Sequence, residues 1–337
     1  MVEENQNSVT KNEKVLDYTD SKEEIIDING VSTKILYIKA ENISENSPRT
    51  VVILVPGSPG IVDYYRRFMG QIYDTWDKKI DIYGIEHSGH TGRKLEGDNV
   101  LYSNQQLIDS KIKFFDMIKE KPEYANPDTK FYFIAHSLGG YMVLKLLEAR
   151  PISGIVKAFL IFPAIHEIEK TPSGNLSFKL IKYEFERKLV CALTKSLDFL
   201  PVSFKASIVK TVAGQSEDES EVTAKELLNS QALSNIIYLT QYEREEIKSI
   251  DEHLDFIREH MNELFFYYST NDGWATKEHY ELLKKRLPEH EKYNNIQLDE
   301  DGIPHAFVIG KDYSRMIAEH LVYDWLKIKE RPEVKSA

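Results

Sequence analysis

Apolar residues along this chain follow two rhythms, and the switches between them mark out its elements. Glu23–Ile28 and Thr33–Ile38 are strand-length stretches on either side of Asn29-Gly30, a dipeptide suited to the positive φ values of a tight hairpin turn. Val51–Val55 is a continuous aliphatic run, the pattern of a strand buried on both faces. Pro56-Gly57-Ser58-Pro59-Gly60 ends it as a loop, and Tyr65, Phe68, Met69 and Ile72 then recur at helical spacing. The alternation continues with a strand at Ile80–Glu86, an amphipathic helix carrying Leu107, Phe114, Phe115 and Ile118, and a strand at Phe131–Ala135. A helix at Leu138–Ala149 closes before Pro151, and Val156–Phe162 is the next strand. Strands that alternate with helices imply a mostly parallel sheet with right-handed crossovers and helices on both faces.

Residues 165–258 interrupt this rhythm. They read as helices broken by turns at Thr171-Pro172-Ser173-Gly174, at Leu200-Pro201 and at the acidic run Ser216–Glu221. Strand and helix resume with Leu264–Ser269, Thr276–Leu287, Asn294–Leu298 and Tyr313–Lys329. The expected organisation is a polar, disordered tail (1–20), the first part of an α/β core (21–163), a helical lid or cap inserted after the sixth strand (164–260), the second part of the core (261–330) and a short tail (331–337).

Composition narrows the class only a little. The chain has 337 residues and a net charge of −11, which disfavours a nucleic-acid partner because phosphates repel it. Cys191 is the single cysteine, so no intramolecular disulfide forms and a reducing compartment is favoured. Between Val190 and Ala192 it reads as a small buried apolar residue. The start, MVEENQNSVTKNEK, has no apolar stretch, and no secretory signal is expected. No run approaches the roughly 20 apolar residues of a spanning helix, so any membrane contact is expected to be peripheral.

The chemistry centres on Ala135-His136-Ser137-Leu138-Gly139-Gly140, between a strand and a helix. A nucleophilic serine on such a sharp turn needs small residues two places before and after it. Ala135 and Gly139 meet that need. In this arrangement the acid and then the histidine follow the serine in the chain. Among the later histidines, His305 alone lies in a loop after a late strand, in Asp301-Gly302-Ile303-Pro304-His305. Asp272, at the end of Leu264–Ser269, is the matching acid, with Asp251, Asp299 and Asp301 as alternatives. The expected roles are Ser137 as nucleophile, His305 as base and Asp272 as the group that orients the imidazole. The backbone N–H groups of Leu138 and Ser58 are the expected oxyanion donors. His87 and His90 read as supports of neighbouring loops; with Glu86 they lack the further ligands a metal site requires. No metal or organic cofactor is needed. These features together point to the α/β-hydrolase fold.

Several of these segments also resemble one family. Pro56-Gly57-Ser58-Pro59-Gly60 with Asp63-Tyr64-Tyr65 and Phe68, Gly84-Ile85-Glu86-His87-Ser88-Gly89-His90, the Ser137 elbow through Tyr141, Phe162-Pro163 with Thr171-Pro172-Ser173-Gly174, and His305-Ala306-Phe307-Val308 are similar to motifs of the lipid droplet-associated hydrolases. The likeness covers about residues 50–310 and is poor in the insertion. Ser58 stands where the family usually has asparagine, and Ala135 where it has glycine. The resemblance implies an ester hydrolase acting on sterol esters or other neutral lipids, with a role in lipid storage. It also implies a place on lipid droplets and on the cytoplasmic side of the endoplasmic reticulum membrane. The insertion adds a physical argument: Leu176–Ala213 holds seven Lys or Arg against three Asp or Glu, interleaved with Phe, Leu and Ile. Basic amphipathic helices of this kind lie on phospholipid surfaces, although a lid packed on the core with solvated lysines has the same pattern. The alternative function is a weakly active or inactive droplet-binding protein built on a hydrolase scaffold.

Overall fold

In a computed structural model, residues 21–44, 47–93, 100–150, 154–180 and 183–330 are described. The expected tails at 1–20 and 331–337 lie outside them. Eight strands form one sheet: β1 (Lys22–Ile28), β2 (Val31–Ile38), β3 (Thr50–Val55), β4 (Asp81–Ile85), β5 (Lys130–His136), β6 (Ile155–Ile161), β7 (Leu264–Ser269) and β8 (Ile296–Asp299). Their order is β1-β2-β4-β3-β5-β6-β7-β8. The β1/β2 and β2/β4 pairings are antiparallel and the other five are parallel. The hairpin turns where expected, with Asn29 and Gly30 both at positive φ.

The central strands are aliphatic and aromatic because helices cover both faces of the sheet. Val51 to Val55, Phe133 and Phe266 are almost fully buried. The first helices are α1 (Arg66–Thr75), α2 (Asn104–Lys119) and α3 (Leu138–Ala149). Ser103 starts α2 with a capping box to Gln106, satisfying amide groups that a helix start leaves open.

Between β6 and β7 the chain makes a helical excursion: α4 (Pro172–Leu180), α5 (Glu184–Thr194), α6 (Val202–Ala213), α7 (Glu217–Val222), α8 (Ser230–Glu246) and α9 (Leu254–Glu259). Buried ion pairs tie it to the core. Lys34 Nζ of β2 lies 3.0 Å from Glu226 and 2.7 Å from Asp63, and Arg67 of α1 lies 2.8 Å from Glu219. The chain ends with α10 (Lys277–Arg286), α11 (His290–Tyr293) and α12 (Lys311–Glu319).

Three expectations need correction. The final helix does not run to Lys329: after α12 the chain loosens into a π-helical turn at His320–Trp325, where Trp325 packs on Phe159, Phe265 and Tyr267. Cys191 is only half-buried and lines a cavity of about 590 Å³ between α5 and α8, because α5 faces solvent over much of its length. Lys205 is not a solvated lysine: it is buried and donates to the Leu228 carbonyl at 2.6 Å.

Candidate active site

Four strand ends at one edge of the sheet supply the site, through the loops after β3, β5, β7 and β8. Ser137 follows β5 with φ 52° and ψ −121°, a backbone conformation that L-residues rarely hold without a supporting frame. Its neighbours provide that frame. A Cβ on Gly139 would come within 2.4 Å of the Val55 and Pro56 carbonyl oxygens, and one on Gly57 within 2.8 Å of the Ser137 Cβ. Glycine at both positions therefore lets the β3 loop and the elbow approach each other closely.

The serine, the histidine and the acid converge. His305 Nε2 is 2.9 Å from Ser137 Oγ, and His305 Nδ1 is 2.6 Å from Asp272 Oδ2. The other Asp272 oxygen accepts the backbone N–H groups of Trp274 at 2.7 Å and Ala275 at 3.0 Å. The carboxylate is thus fixed by its own loop, with its side chain shielded from solvent. Of the alternative acids, Asp251 is exposed and pairs with Arg286, and Asp301 is exposed. Asp299 accepts from Ile303 N–H at 2.7 Å. It shapes the turn that carries His305 back over the sheet.

Ser58 and Leu138 both line the cavity in front of Ser137. Leu138 is the first residue of α3, so its N–H has no acceptor within the helix. The Ser58 loop is anchored from below. Gly57 N–H donates to the Tyr65 hydroxyl at 2.9 Å, and that hydroxyl is 2.6 Å from His136 Nδ1. Burial, reinforced by the adjacent His305, drives the His136 pKa well below the ordinary imidazole range, so this ring stays neutral. On the far side, Gly60 N–H donates to His90 Nδ1 at 2.8 Å and His87 N–H donates to the Gly60 carbonyl at 2.9 Å. His87 and His90 hold the loop. Among the described residues no group of three or more His, Cys, Asp or Glu could hold a metal ion.

The cavity measures about 310 Å³. Its roof comes from the helical excursion: Ile168, Ser177 of α4, and Ile236, Ile237, Thr240 and Glu243 of α8. Glu243 is a site residue that sequence reasoning missed. Flanked by Tyr242, Arg244, Glu245 and Glu246, it resembles a position on a solvated helix face, and no local signal marks it as buried. Tyr65 was visible as part of a helical apolar stripe and of the motif shared with the family, but its hydroxyl link to His136 depends on the fold.

A mostly parallel sheet, a serine elbow after a central strand and a histidine loop after the last strand define an α/β hydrolase. Solved structures share this architecture at low sequence identity. A Cif epoxide hydrolase from Acinetobacter nosocomialis superimposes with a TM-score of 0.59 at 12% identity, covering 90% of each chain. A putative lipase from Acinetobacter baumannii gives 0.56 at 13% identity, covering 92% of this chain and 93% of its own. Residues 48–308 match the profile of the lipid-droplet associated hydrolases, and the chain belongs to that family. It is 29% identical to the lipid droplet-associated hydrolase of Homo sapiens over 85% of this chain and 88% of the relative. Against the mouse protein of the same name identity is 29%, over 93% of this chain and 97% of the relative. Family and fold together make the protein a hydrolase.

Proposed function

We propose that the protein is a serine hydrolase that cleaves carboxylic esters of neutral lipids, sterol esters among them, through an acyl-enzyme, and that it serves lipid storage. The single observation that carries this reading is the unbroken relay from Asp272 through His305 to Ser137, with spacings of 2.6 and 2.9 Å. In the first half-reaction Ser137 Oγ attacks the ester carbonyl carbon while His305 Nε2 takes its proton. The N–H groups of Leu138 and Ser58 hold the oxyanion. As the carbon–oxygen bond breaks, His305 returns the proton to the leaving alcohol. Water then repeats the sequence on the acyl-enzyme, releasing the carboxylic acid and restoring Ser137. Asp272 keeps Nδ1 protonated and steadies the imidazolium throughout.

The place of action we propose is the phospholipid monolayer of a lipid droplet and the cytoplasmic face of the endoplasmic reticulum, reached peripherally. No described helix is long and apolar enough to cross a membrane. The relatives are named for lipid droplets. The segment from α5 to α6 carries the exposed apolar residues Phe185, Phe199 and Val212 within a stretch of net positive charge, which suits an anionic, apolar surface. The excursion would then both roof the site as a lid and dock the protein. That same exposed face favours a second reading, a droplet-binding protein with little turnover. The test is hydrolysis of a neutral-lipid emulsion coated with phospholipid. The wild type should release fatty acid and Ser137→Ala should not. Equal release by both, or none by either while both bind the droplets, contradicts the enzymatic reading.

A further inference from the structure

Three carboxyl side chains of the helical excursion are buried, Glu219, Glu226 and Glu243. The first two are explained by their partners, since Arg67 pairs with Glu219 and Lys34 with Glu226. Glu243 has no such partner. No cation pairs with it among the described residues, and its Oε1 is buried with no hydrogen-bond partner. A buried polar atom of this kind is costly to leave unsatisfied, which is why such atoms nearly always have a partner.

Its position indicates what that partner would be. Ile236, Thr240 and Glu243 follow one another at helical spacing on the face of α8 that lines the cavity in front of Ser137. Most of the remaining wall is apolar, from Leu138, Ala164, Ile168, Ile237 and Trp274. Burial pushes the Glu243 carboxyl up to about 7, against a hydrogen bond from the Ser58 side chain that opposes the rise. Ser58 is also the residue whose backbone N–H is assigned to the oxyanion, so Glu243 stands close to where the ester carbonyl would sit. Near neutral pH it is divided between carboxylic acid and carboxylate. A hydroxyl group, which both donates and accepts, suits either form.

We propose that Glu243 is a specificity-determining residue whose carboxyl group hydrogen-bonds a hydroxyl carried by the substrate near its ester group, so that the site selects hydroxyl-bearing esters, such as partial glycerides, over esters flanked by hydrocarbon alone. The inference rests on the serine-ester reading and narrows it: a sterol ester or a triester leaves the buried oxygen unpaired. A site built to bind a hydroxyl discriminates strongly against the analogue that lacks it.

The test compares monooctanoylglycerol with propyl octanoate, which share an acyl group and differ in hydroxyls, on the wild type, Glu243→Gln and Glu243→Met. Wild-type kcat/KM should favour the glycerol ester by about 10-fold or more. Glu243→Met should lose that preference, kcat/KM for the glycerol ester falling by about 10-fold more than kcat/KM for propyl octanoate, and Glu243→Gln should keep part of the preference. An equal loss on both esters in Glu243→Met would mean that the residue only holds the Ser58 loop, and overturns the proposal. So does a wild type with no preference, an outcome that needs no variant to fold. Ser137 labelling by a fluorophosphonate, measured alongside, separates the two levels. Labelling without ester preference overturns the selectivity alone; neither labelling nor turnover overturns the serine reading and this inference with it.

Discussion

Around Ser137 the chain buries nearly all its apolar surface: Val55, Leu138, Ile161 and Phe307 are closed off from solvent. On the excursion's outer side, Phe185, Phe199 and Val212 are 75%, 87% and 81% exposed. Both regions are rich in Phe, Leu and Val, so composition does not separate them. Their surroundings do. At the sheet edge, parallel strands and their covering helices pack on both sides of each apolar residue, and the closeness lets Gly57 and Gly139 bring two loops together at the serine. Across α5, the turn after it and α6, the side chains of Phe185, Phe199 and Val212 stay open to solvent, although Val209 of α6 is buried. A large exposed apolar face on a folded chain marks an interaction surface. On the proposed function, the first region is preorganised for charge development and the second docks on a separate, apolar phase. The half of the excursion nearer the core, fastened by Lys34, Arg67 and their carboxylate partners, connects the two.

The largest effect expected from this contrast is on turnover. Ser137→Ala should lower kcat by about 10,000-fold or more while leaving binding to phospholipid-coated droplets unchanged; a flotation assay beside an ester assay reads both, and loss of binding in this variant would erase the separation. Next, Phe185→Asp combined with Phe199→Asp should weaken droplet binding by about 100-fold or more, since each Phe forfeits roughly 1.5–3 kcal/mol of burial. Thermal unfolding should shift little because exposed positions contribute within about 0.5 kcal/mol. Turnover of a water-soluble ester should persist, and its collapse would show that the two regions are not independent.

A smaller effect concerns stability against pH. The Glu243 carboxyl, raised by burial from 4.5 to about 7, holds its proton in the folded protein where the unfolded chain has lost it. Between those values the folded state binds more protons, so stability falls as pH rises from 4.5 through 7. Glu243→Gln removes the penalty. It should match the wild type near pH 4 and exceed it above pH 7, by up to on the order of 3 kcal/mol, in urea unfolding at both pH values. A difference that does not change with pH contradicts the assignment. The smallest effect is expected of Tyr65→Phe, which removes the hydroxyl between Gly57 and His136. A loss of about 1 kcal/mol of stability should accompany a kcat lowered by roughly 10-fold on a soluble ester, with droplet binding intact.

Much of the fold was legible because its strands are short aliphatic runs ended by Pro, Gly or Asn, as at Val51–Val55 before Pro56. The convergence of Ser137, Asp272 and His305 was legible for a related reason: each follows a strand, and parallel strands deliver their C-terminal ends to one edge. What escaped depends on tertiary packing. The π-helical turn after α12 satisfies Trp325 against β6 and β7, and nothing in His320–Trp325 announces it. The burial of Lys205 and Glu243 reverses what charged residues in a polar helix normally signal, because each faces inward from an excursion whose orientation the local pattern does not specify. Cys191 errs in the other direction, since an apolar neighbourhood in sequence did not make a buried one in space.

The relay at the sheet edge can be tested most directly by covalent labelling. Intact-mass analysis after reaction with a fluorophosphonate should show one adduct per chain, mapped by peptide sequencing to Ser137 and absent from Ser137→Ala, with the rate greatly reduced in His305→Ala. An adduct on another residue, or a wild type that stays unmodified under conditions that label a control serine hydrolase, would contradict the account.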